Sequence, residues 1–163
     1  MQASIAERFA WGRPYDPVAH DTLAPVVPRS GTALIGRILM AAIFIVSGFA
    51  KLTDPGGASG YMHMAGIGHA DQLVYVAGAA ELAGGLALLF GFLTRIAAIG
   101  LIVLLVIITY FFHNFWALSG ADAKMQMVQF FKNLGLMGGL FMVVAMGPGR
   151  YSIDRRIRHP KAA

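Results

Sequence analysis

The sequence predicts an all-α membrane protein, a four-helix transmembrane bundle with both termini in the cytoplasm. The chain has 163 residues, of which 57% are hydrophobic and 13% are charged, whereas a soluble domain of this size carries about 25% charged residues. The hydrophobic residues concentrate in four runs, each long enough to cross a bilayer as one helix. Lysine and arginine lie between and beyond these runs, in the asymmetric pattern that sets the orientation of membrane proteins.

Helix-breaking and turn residues separate the four runs. An Asp-Pro-Gly-Gly sequence at 54–57 ends the first run, and a Gly-Pro-Gly sequence at 147–149 ends the fourth, because proline and glycine interrupt helices. Residues 94–95 make a tight turn between the second and third runs, and residues 58–70 form a loop with short helical potential. The predicted spans are residues 32–52, 71–93, 96–115 and 125–146.

Two tails flank this transmembrane domain. Residues 1–31 form a Pro-rich cytoplasmic N-terminal tail, and residues 147–163 form a basic cytoplasmic C-terminal tail that we expect to lie against anionic lipid. Ten of the 13 Lys and Arg residues lie on the side of the termini and the Arg95 turn, which places that side in the cytoplasm. Arg37, at the inner end of the first span, is expected to snorkel to the headgroups.

Composition excludes several classes of chemistry. The chain has no cysteine, so it can hold no disulfide, no thiolate-bound iron–sulfur cluster and no thioether-linked haem. Only His113 falls within a predicted span, so bis-histidine haem is not expected. His63 and His69 share a loop without carboxylates at ligand spacing, and we expect no metal site there. Basic stripes interleaved with exposed aromatic residues are missing outside the spans, so nucleic acid is not an expected partner.

Glu81 is the most informative residue of the chain. It is the only charged residue between Leu73 and Leu93, and a charge near the bilayer centre costs about 3 kcal/mol on insertion scales. Such a group faces a partner or a water-filled cavity. Lys51, at the end of the first span, and Lys132, in the fourth, lie with it in the outer half of the predicted bundle.

Helical spacing predicts that these groups point toward the packed interior of the bundle. Glu81 shares its helix face with Gly78 and Gly85, and small residues line the contacts between membrane helices because they let backbones approach. The faces of Lys51, Lys132 and His113 likewise carry small or hydroxyl-bearing residues. The sequence therefore predicts that the four ionisable groups converge.

Two interpretations of this cluster remain open. The cluster can form a polar pocket toward the periplasmic side, since ionisable groups inside membranes are functional by default. Alternatively, Glu81 pairs with Lys51 or Lys132, is capped by Asn133, and only fixes the packing of the helices. Two lysines against one glutamate leave a positive surplus, which suits a small anion or a deprotonating quinol.

Aromatic residues crowd the outer end of the third span. Tyr110, Asn114 and Trp116 surround His113 in the sequence and are further candidate binding residues. Aromatic walls, a His donor and a nearby carboxylate are what a quinone headgroup needs for proton-coupled redox chemistry. An aromatic belt at the membrane interface is the simpler explanation for Trp116 and its phenylalanine neighbours.

Several short segments resemble, in order, the DoxX family of small bacterial four-helix membrane proteins. The resemblance covers about residues 32–154 and excludes the Pro-rich head. The segments are Gly36-Arg37, Ser47-Gly48-Phe49-Ala50-Lys51-Leu52, Glu81-Leu82-Ala83-Gly84-Gly85-Leu86, Thr94-Arg95, His113-Asn114-Phe115-Trp116, Phe131-Lys132-Asn133-Leu134 and Gly147-Pro148-Gly149-Arg150-Tyr151-Ser152-Ile153-Asp154.

The resemblance implies a four-helix transmembrane bundle in the bacterial cytoplasmic (inner) membrane. A related group, DoxD, is a subunit of thiosulfate:quinone oxidoreductase that works with a second, separate subunit. Other members are linked to redox and oxidative-stress complexes. The resemblance therefore implies protein partners, and it leaves open whether this chain takes part in catalysis.

Three functional hypotheses follow. The first is a quinone-linked redox subunit, part of an oxidoreductase rather than a stand-alone enzyme, in which Glu81 accepts a proton and His113 donates a hydrogen bond. Lys51 and Lys132 would hold an anionic headgroup in that site. Apart from a quinone, the sequence indicates no particular cofactor. The second hypothesis is a non-catalytic accessory or assembly subunit of a larger membrane complex. The third is a small-molecule transporter, which four spans without clear inverted repeats make less attractive.

Overall fold

The computed structural model describes residues 29–158, and within them every regular element is helical. Four of these helices are long and apolar enough to cross a membrane, which confirms the predicted all-α bundle of four transmembrane helices. In order, the elements are α1 (Arg29–Thr53), α2 (Gly56–Met64), α3 (Ala70–Phe90), α4 (Thr94–Phe112), a 3-10 turn (Phe115–Ala117), α5 (Gly120–Met146) and α6 (Ile153–Arg158).

Two helix ends differ from the predicted spans for identifiable reasons. Helix α3 ends at Phe90, before the predicted residue 93, because Gly91 adopts a left-handed conformation with φ of 67° and closes the helix as a C-terminal glycine does. Helix α5 begins at Gly120 rather than near residue 125. Its first turn is polar, so a search for apolar residues misses it. Most of the predicted tail 1–31 and residues 159–163 lie outside the described residues.

Small residues bring α1 and α3 into close contact. A Cβ atom on Gly48 would lie 2.5 Å from the Leu82 nitrogen and 2.7 Å from the Gly78 oxygen, distances that no side chain tolerates. The two backbones therefore touch at this point, as membrane helices do where glycines meet. Since Lys51 and Glu81 each lie three residues beyond one of these glycines, the contact brings their side chains together.

All four long helices contribute to one apolar core. A smaller cluster of Met62, Ala70 and Val74 packs α2 against the start of α3. This cluster defines one end of the bundle, which we call the α2 end; the opposite end is the α6 end. The residues buried in the main core are Ala41, Phe44, Leu88, Ala98, Leu101, Ile102, Leu105 and Leu140.

The C-terminal segment folds back at the α6 end and caps α4. The Asp154 carboxylate accepts hydrogen bonds from the backbone nitrogens of Leu93 and Thr94 at 2.8 and 2.9 Å and from the Thr94 hydroxyl at 2.7 Å. Partial burial raises the pKa of Asp154, but these hydrogen bonds and the charge of Arg158 outweigh it and hold the pKa below its usual value. A residue 60 positions away thus supplies the helix cap.

Arg37 does not snorkel, so that prediction is wrong. Its side chain is only 2% exposed, and its Nη1 donates to the Leu88 carbonyl at 3.1 Å while Nη2 donates to the Tyr151 carbonyl. The last turn of a helix leaves carbonyl oxygens without intrahelical donors, and Arg37 reaches those at the end of α3. It thereby ties α1, α3 and the C-terminal segment together.

Candidate functional site

A cavity of about 360 Å³ lies between the long helices at the α2 end. We call it the polar cavity. Apolar side chains of several spans, such as Phe44, Leu105 and Leu136, form much of its wall. The polar side chains that line it are Ser47, Lys51, Tyr61, Glu81, His113, Gln126, Gln129, Lys132 and Asn133.

Lys51 and Glu81 form an ion pair inside this cavity. The Lys51 Nζ lies 2.8 Å from Glu81 Oε2 and 3.1 Å from Oε1, and it also donates to the Ser47 hydroxyl at 2.7 Å. The Glu81 side chain is 5% exposed and the Lys51 side chain 19%. The ammonium therefore uses its three donors on three acceptors, and the buried carboxylate has its charge compensated.

The sequence left two lysines as possible partners of Glu81, and in the structure the partner is Lys51. Lys132 lies at the exposed rim of the cavity and donates to the Gln129 side chain on its own helix. The positive surplus that the sequence predicts is present in the lining, with one lysine paired to the carboxylate and the other at the rim. The rim is where an anionic group would meet this charge.

Asn133 lines the cavity but binds α4 rather than the carboxylate. Its Nδ2 donates to the Thr109 hydroxyl at 3.0 Å, and both residues are buried. This bond joins α4 to α5 beside the cavity. Asn133 therefore fixes the position of α5 and does not cap Glu81.

His113 lies in the cavity wall at the end of α4. Its Nδ1 lies 2.7 Å from the Gln126 side-chain oxygen. When that oxygen accepts, Nδ1 carries the proton and Nε2 of the neutral ring is an acceptor. Gln126 thus sets the orientation of the imidazole, as partners of functional histidines commonly do.

Sequence reasoning missed Gln126, Gln129 and Tyr61. Gln126 and Gln129 lie seven and four residues before Asn133, on one face of α5, so their periodicity carried a signal that the search for charged groups ignored. Tyr61 comes from α2, which lies between two spans and was treated as a loop. Its position over the cavity follows only from the packing of α2 on α3.

The structure leaves three predicted binding residues out of the cavity lining. Tyr110 is 67% exposed and Trp116 is 60% exposed. Trp116 makes edge-to-face contacts with Phe115 and Phe130, which fits an aromatic belt at the membrane interface. Asn114 precedes the 3-10 turn, and its backbone oxygen accepts a hydrogen bond from Ala117 at 3.0 Å.

Among residues 29–158, no group of three or more His, Asp or Glu side chains is arranged to hold a metal ion. His63 and Asp71 lie 3.2 Å apart as an exposed pair near the start of α3. Two side chains that are each more than half exposed form a surface contact of small energetic value.

The chain matches the DoxX family model over residues 32–114, a segment that contains Lys51, Glu81 and His113. It is 40% identical to inner membrane protein YqjF of Escherichia coli over 75% of this chain and 88% of that protein. It is 30% identical to inner membrane protein YphA of the same organism over 76% and 88%.

An uncharacterized membrane protein of Mycobacterium tuberculosis is 27% identical over 74% of this chain and 78% of its own length. No solved structure matches this chain. The family match covers three of the four spans, and each alignment with an inner membrane protein covers most of this chain and most of the relative. This chain therefore belongs to the DoxX family of membrane proteins.

Proposed function

We propose that this chain is a membrane subunit of a quinone-linked redox system and that the polar cavity receives the quinone headgroup. The proposal rests on which side chains line that cavity. A buried Lys51–Glu81 pair and the His113 ring line one chamber whose remaining wall is largely apolar. A flat, mostly apolar ring with two polar oxygens has the matching chemistry.

The residues present fit such a headgroup in size and in donors. Small-molecule sites occupy about 300–1,000 Å³, and the polar cavity measures about 360 Å³. The Ser47 hydroxyl, which accepts from Lys51, has its own proton to donate on the α1 side, and the Gln126 amide nitrogen is a donor on α5. These two donors lie on separate helices and can serve two oxygens on opposite edges of a ring.

Each residue has a distinct part in the proposed chemistry. A bound quinone would take up two electrons and two protons when it is reduced to the quinol, and the quinol would release them on oxidation. Glu81 accepts one of the protons that the quinol releases. Until Glu81 is protonated, the Lys51 ammonium balances the charge of its carboxylate. Lys132 at the rim favours negative charge on the ligand, and His113 Nε2, an acceptor when Nδ1 donates to Gln126, accepts a hydrogen bond from a hydroxyl of the reduced headgroup. Because the chain has no cysteine, we assign any thiolate-bound electron carrier to a partner subunit.

We infer that the chain lies in the bacterial cytoplasmic membrane with both termini in the cytoplasm. The two relatives named inner membrane proteins support the location, and the excess of Lys and Arg beside the termini supports the orientation. In that orientation the polar cavity faces the periplasmic half of the bilayer. Labelling of single cysteines placed at positions 124 and 156 by a membrane-impermeant reagent tests this: only position 124 should react in intact spheroplasts.

One observation favours the second candidate, an accessory subunit of a larger complex. Only 11% of the most apolar stretch of α5 is buried within the chain, against 28% for α3 and for α4. Exposed α5 can therefore contact another membrane protein as well as lipid. Stable, stoichiometric partner polypeptides in a mild-detergent preparation without bound quinone would support this role over the first.

The test of the proposed function is quinone binding by the purified full-length chain. We expect decylubiquinone to bind with a stoichiometry of one and Glu81→Gln to weaken the binding of its reduced form by about tenfold or more, the effect of losing a charge-assisted hydrogen bond. Lys124→Met is the matched control, because Lys124 lies outside the cavity lining. Equal affinities of wild-type and Glu81→Gln protein, with both folded, would refute the assignment.

A further inference from the structure

A second concavity, of about 470 Å³, lies at the α6 end, opposite the polar cavity. It sits where α4 begins and α5 ends, under the segment that leads into α6. Four arginines line it, and a single carboxylate, Asp154, accompanies them. We call it the arginine pocket; its arginines are Arg95, Arg150, Arg155 and Arg158.

The one carboxylate in this pocket does not neutralise the arginines. Asp154 offsets the charge of one arginine at most, and it also accepts three hydrogen bonds from Leu93 and Thr94 at the start of α4. Within residues 29–158 the ion pairs are Lys51–Glu81 and His63–Asp71, neither of which involves the pocket. The arginines thus present an excess of positive charge to whatever enters.

Contacts elsewhere in the fold hold this cluster in place. The Ser152 hydroxyl donates to the Gly149 carbonyl at 2.8 Å and accepts from the Arg155 backbone nitrogen at 3.3 Å. The buried Arg37 side chain holds the Tyr151 carbonyl from below. Arg155 and Arg158 project from one face of α6, since they are three residues apart. The backbone that carries three of the four arginines is therefore fixed against the bundle, while their side chains are exposed at the pocket.

The apolar surroundings indicate the kind of ligand. Leu93, Ile96 and Met146 line the pocket and are 50%, 67% and 74% exposed. They lie at the ends of two spans, where lipid chains run along the protein. Guanidinium groups match the geometry of phosphate oxygens, and a ligand with a phosphate and a long apolar part would satisfy both halves of the pocket.

We propose that the arginine pocket binds the phosphate of an anionic phospholipid, with the lipid chains lying along Ile96 and Met146. Free phosphate shares the chemistry of the headgroup but would leave the apolar side chains uncovered. Arg95 approaches from α4 and donates one long hydrogen bond, of 3.4 Å, to the Ala145 carbonyl, so most of its donors remain for the ligand. The site would fasten the C-terminal segment to one lipid of the adjoining leaflet.

The test uses the delipidated full-length chain in detergent, with bound lipid counted by native mass spectrometry. The probes are phosphatidylglycerol, phosphatidylcholine and inorganic phosphate. We expect one phosphatidylglycerol to be retained per chain and Arg95→Gln/Arg155→Gln to weaken its binding by about tenfold or more. Arg156→Gln is the matched control, because Arg156 lies in α6 but does not line the pocket, and it should bind as wild type does.

Three results would overturn the proposal. Equal retention of phosphatidylcholine would mean that the negative charge is not recognised. Competition by inorganic phosphate at equal affinity would mean that the lipid chains contribute nothing. An equal loss in Arg156→Gln would mean that only general surface charge matters. If the double variant does not fold, Arg155→Gln alone is compared with Arg156→Gln, and equal lipid affinities of the two would equally refute the site.

Discussion

Replacing Gly48 by alanine should separate α1 from α3 and disturb the ion pair that depends on their contact. The added Cβ would lie 2.5 Å from the Leu82 nitrogen and 2.7 Å from the Gly78 oxygen, whereas ordinary contact begins at 3.4 Å. Both clashing atoms are backbone, so no side chain can rotate away. The helices must move apart locally by up to about 0.9 Å, the shortfall of the closer contact.

The expected cost follows from this displacement. Overpacking a close contact costs about 1–3 kcal/mol, while the glycine-to-alanine change itself favours a helix by about 1 kcal/mol. A Lys51 Nζ to Glu81 Oε2 distance of 2.8 Å, lengthened by the same amount, passes beyond hydrogen-bonding range. Quinone affinity should therefore fall together with the free energy of unfolding.

Gly36→Ala is the control that isolates the clash. Gly36 lies in the same helix, α1, and nothing comes within 4 Å of an added Cβ there, so both variants share the gain in helix propensity. We expect Gly48→Ala to unfold with a free energy about 1–3 kcal/mol lower than Gly36→Ala. Reversible unfolding by SDS from mild detergent, followed by circular dichroism, measures the difference. Equal stability of the two variants would refute the close approach of α1 and α3.

Two further predictions concern buried polar contacts. Thr109→Val removes the acceptor of the buried Asn133 amide and should lower the free energy of unfolding by about 1–3 kcal/mol in the same assay. Adding Asn133→Leu to this variant should recover part of the loss. Strictly additive effects of the two substitutions would contradict the pairing. Asp154→Asn weakens the cap of α4 and should cost about 1 kcal/mol. Because the folded pKa of Asp154 is depressed, its contribution is present above the unfolded pKa, about 3.9, and is lost as the pH falls through the folded pKa. Thermal unfolding of Asp154→Asn between about pH 5 and pH 2 should therefore depend less on pH than wild type, and identical profiles would contradict this.

Hydrophobic length made the number of spans predictable. Four apolar runs interrupted by proline and glycine leave few alternatives in a bilayer, where every backbone group must be bonded within a helix or a closed barrel. The helix ends were less predictable. Polar residues continue α5 beyond the apolar run, and Gly91 ends α3 before the run is finished.

The depth of each charged residue in the membrane could also be predicted from the sequence, but its ion-pair partner could not. Counting residues along a helix places Glu81, Lys51 and Lys132 near the same level. The rotation of each helix and the closeness of each crossing decide which lysine reaches the carboxylate. Here the Gly48–Gly78 contact selects Lys51, and the exposed face of α5 leaves Lys132 at the rim.

By itself, the sequence determined that this chain is a four-span membrane protein with ionisable groups placed where lipid would penalise them, because span length and hydropathy are local properties of the chain. Only the tertiary structure decided that Arg37 is buried, that Asp154 caps a helix 60 residues away and that Arg95 joins the arginines of the C-terminal segment. Those contacts join residues that are distant in the chain. They form because the ends of packed helices leave backbone donors and acceptors that only another segment can satisfy.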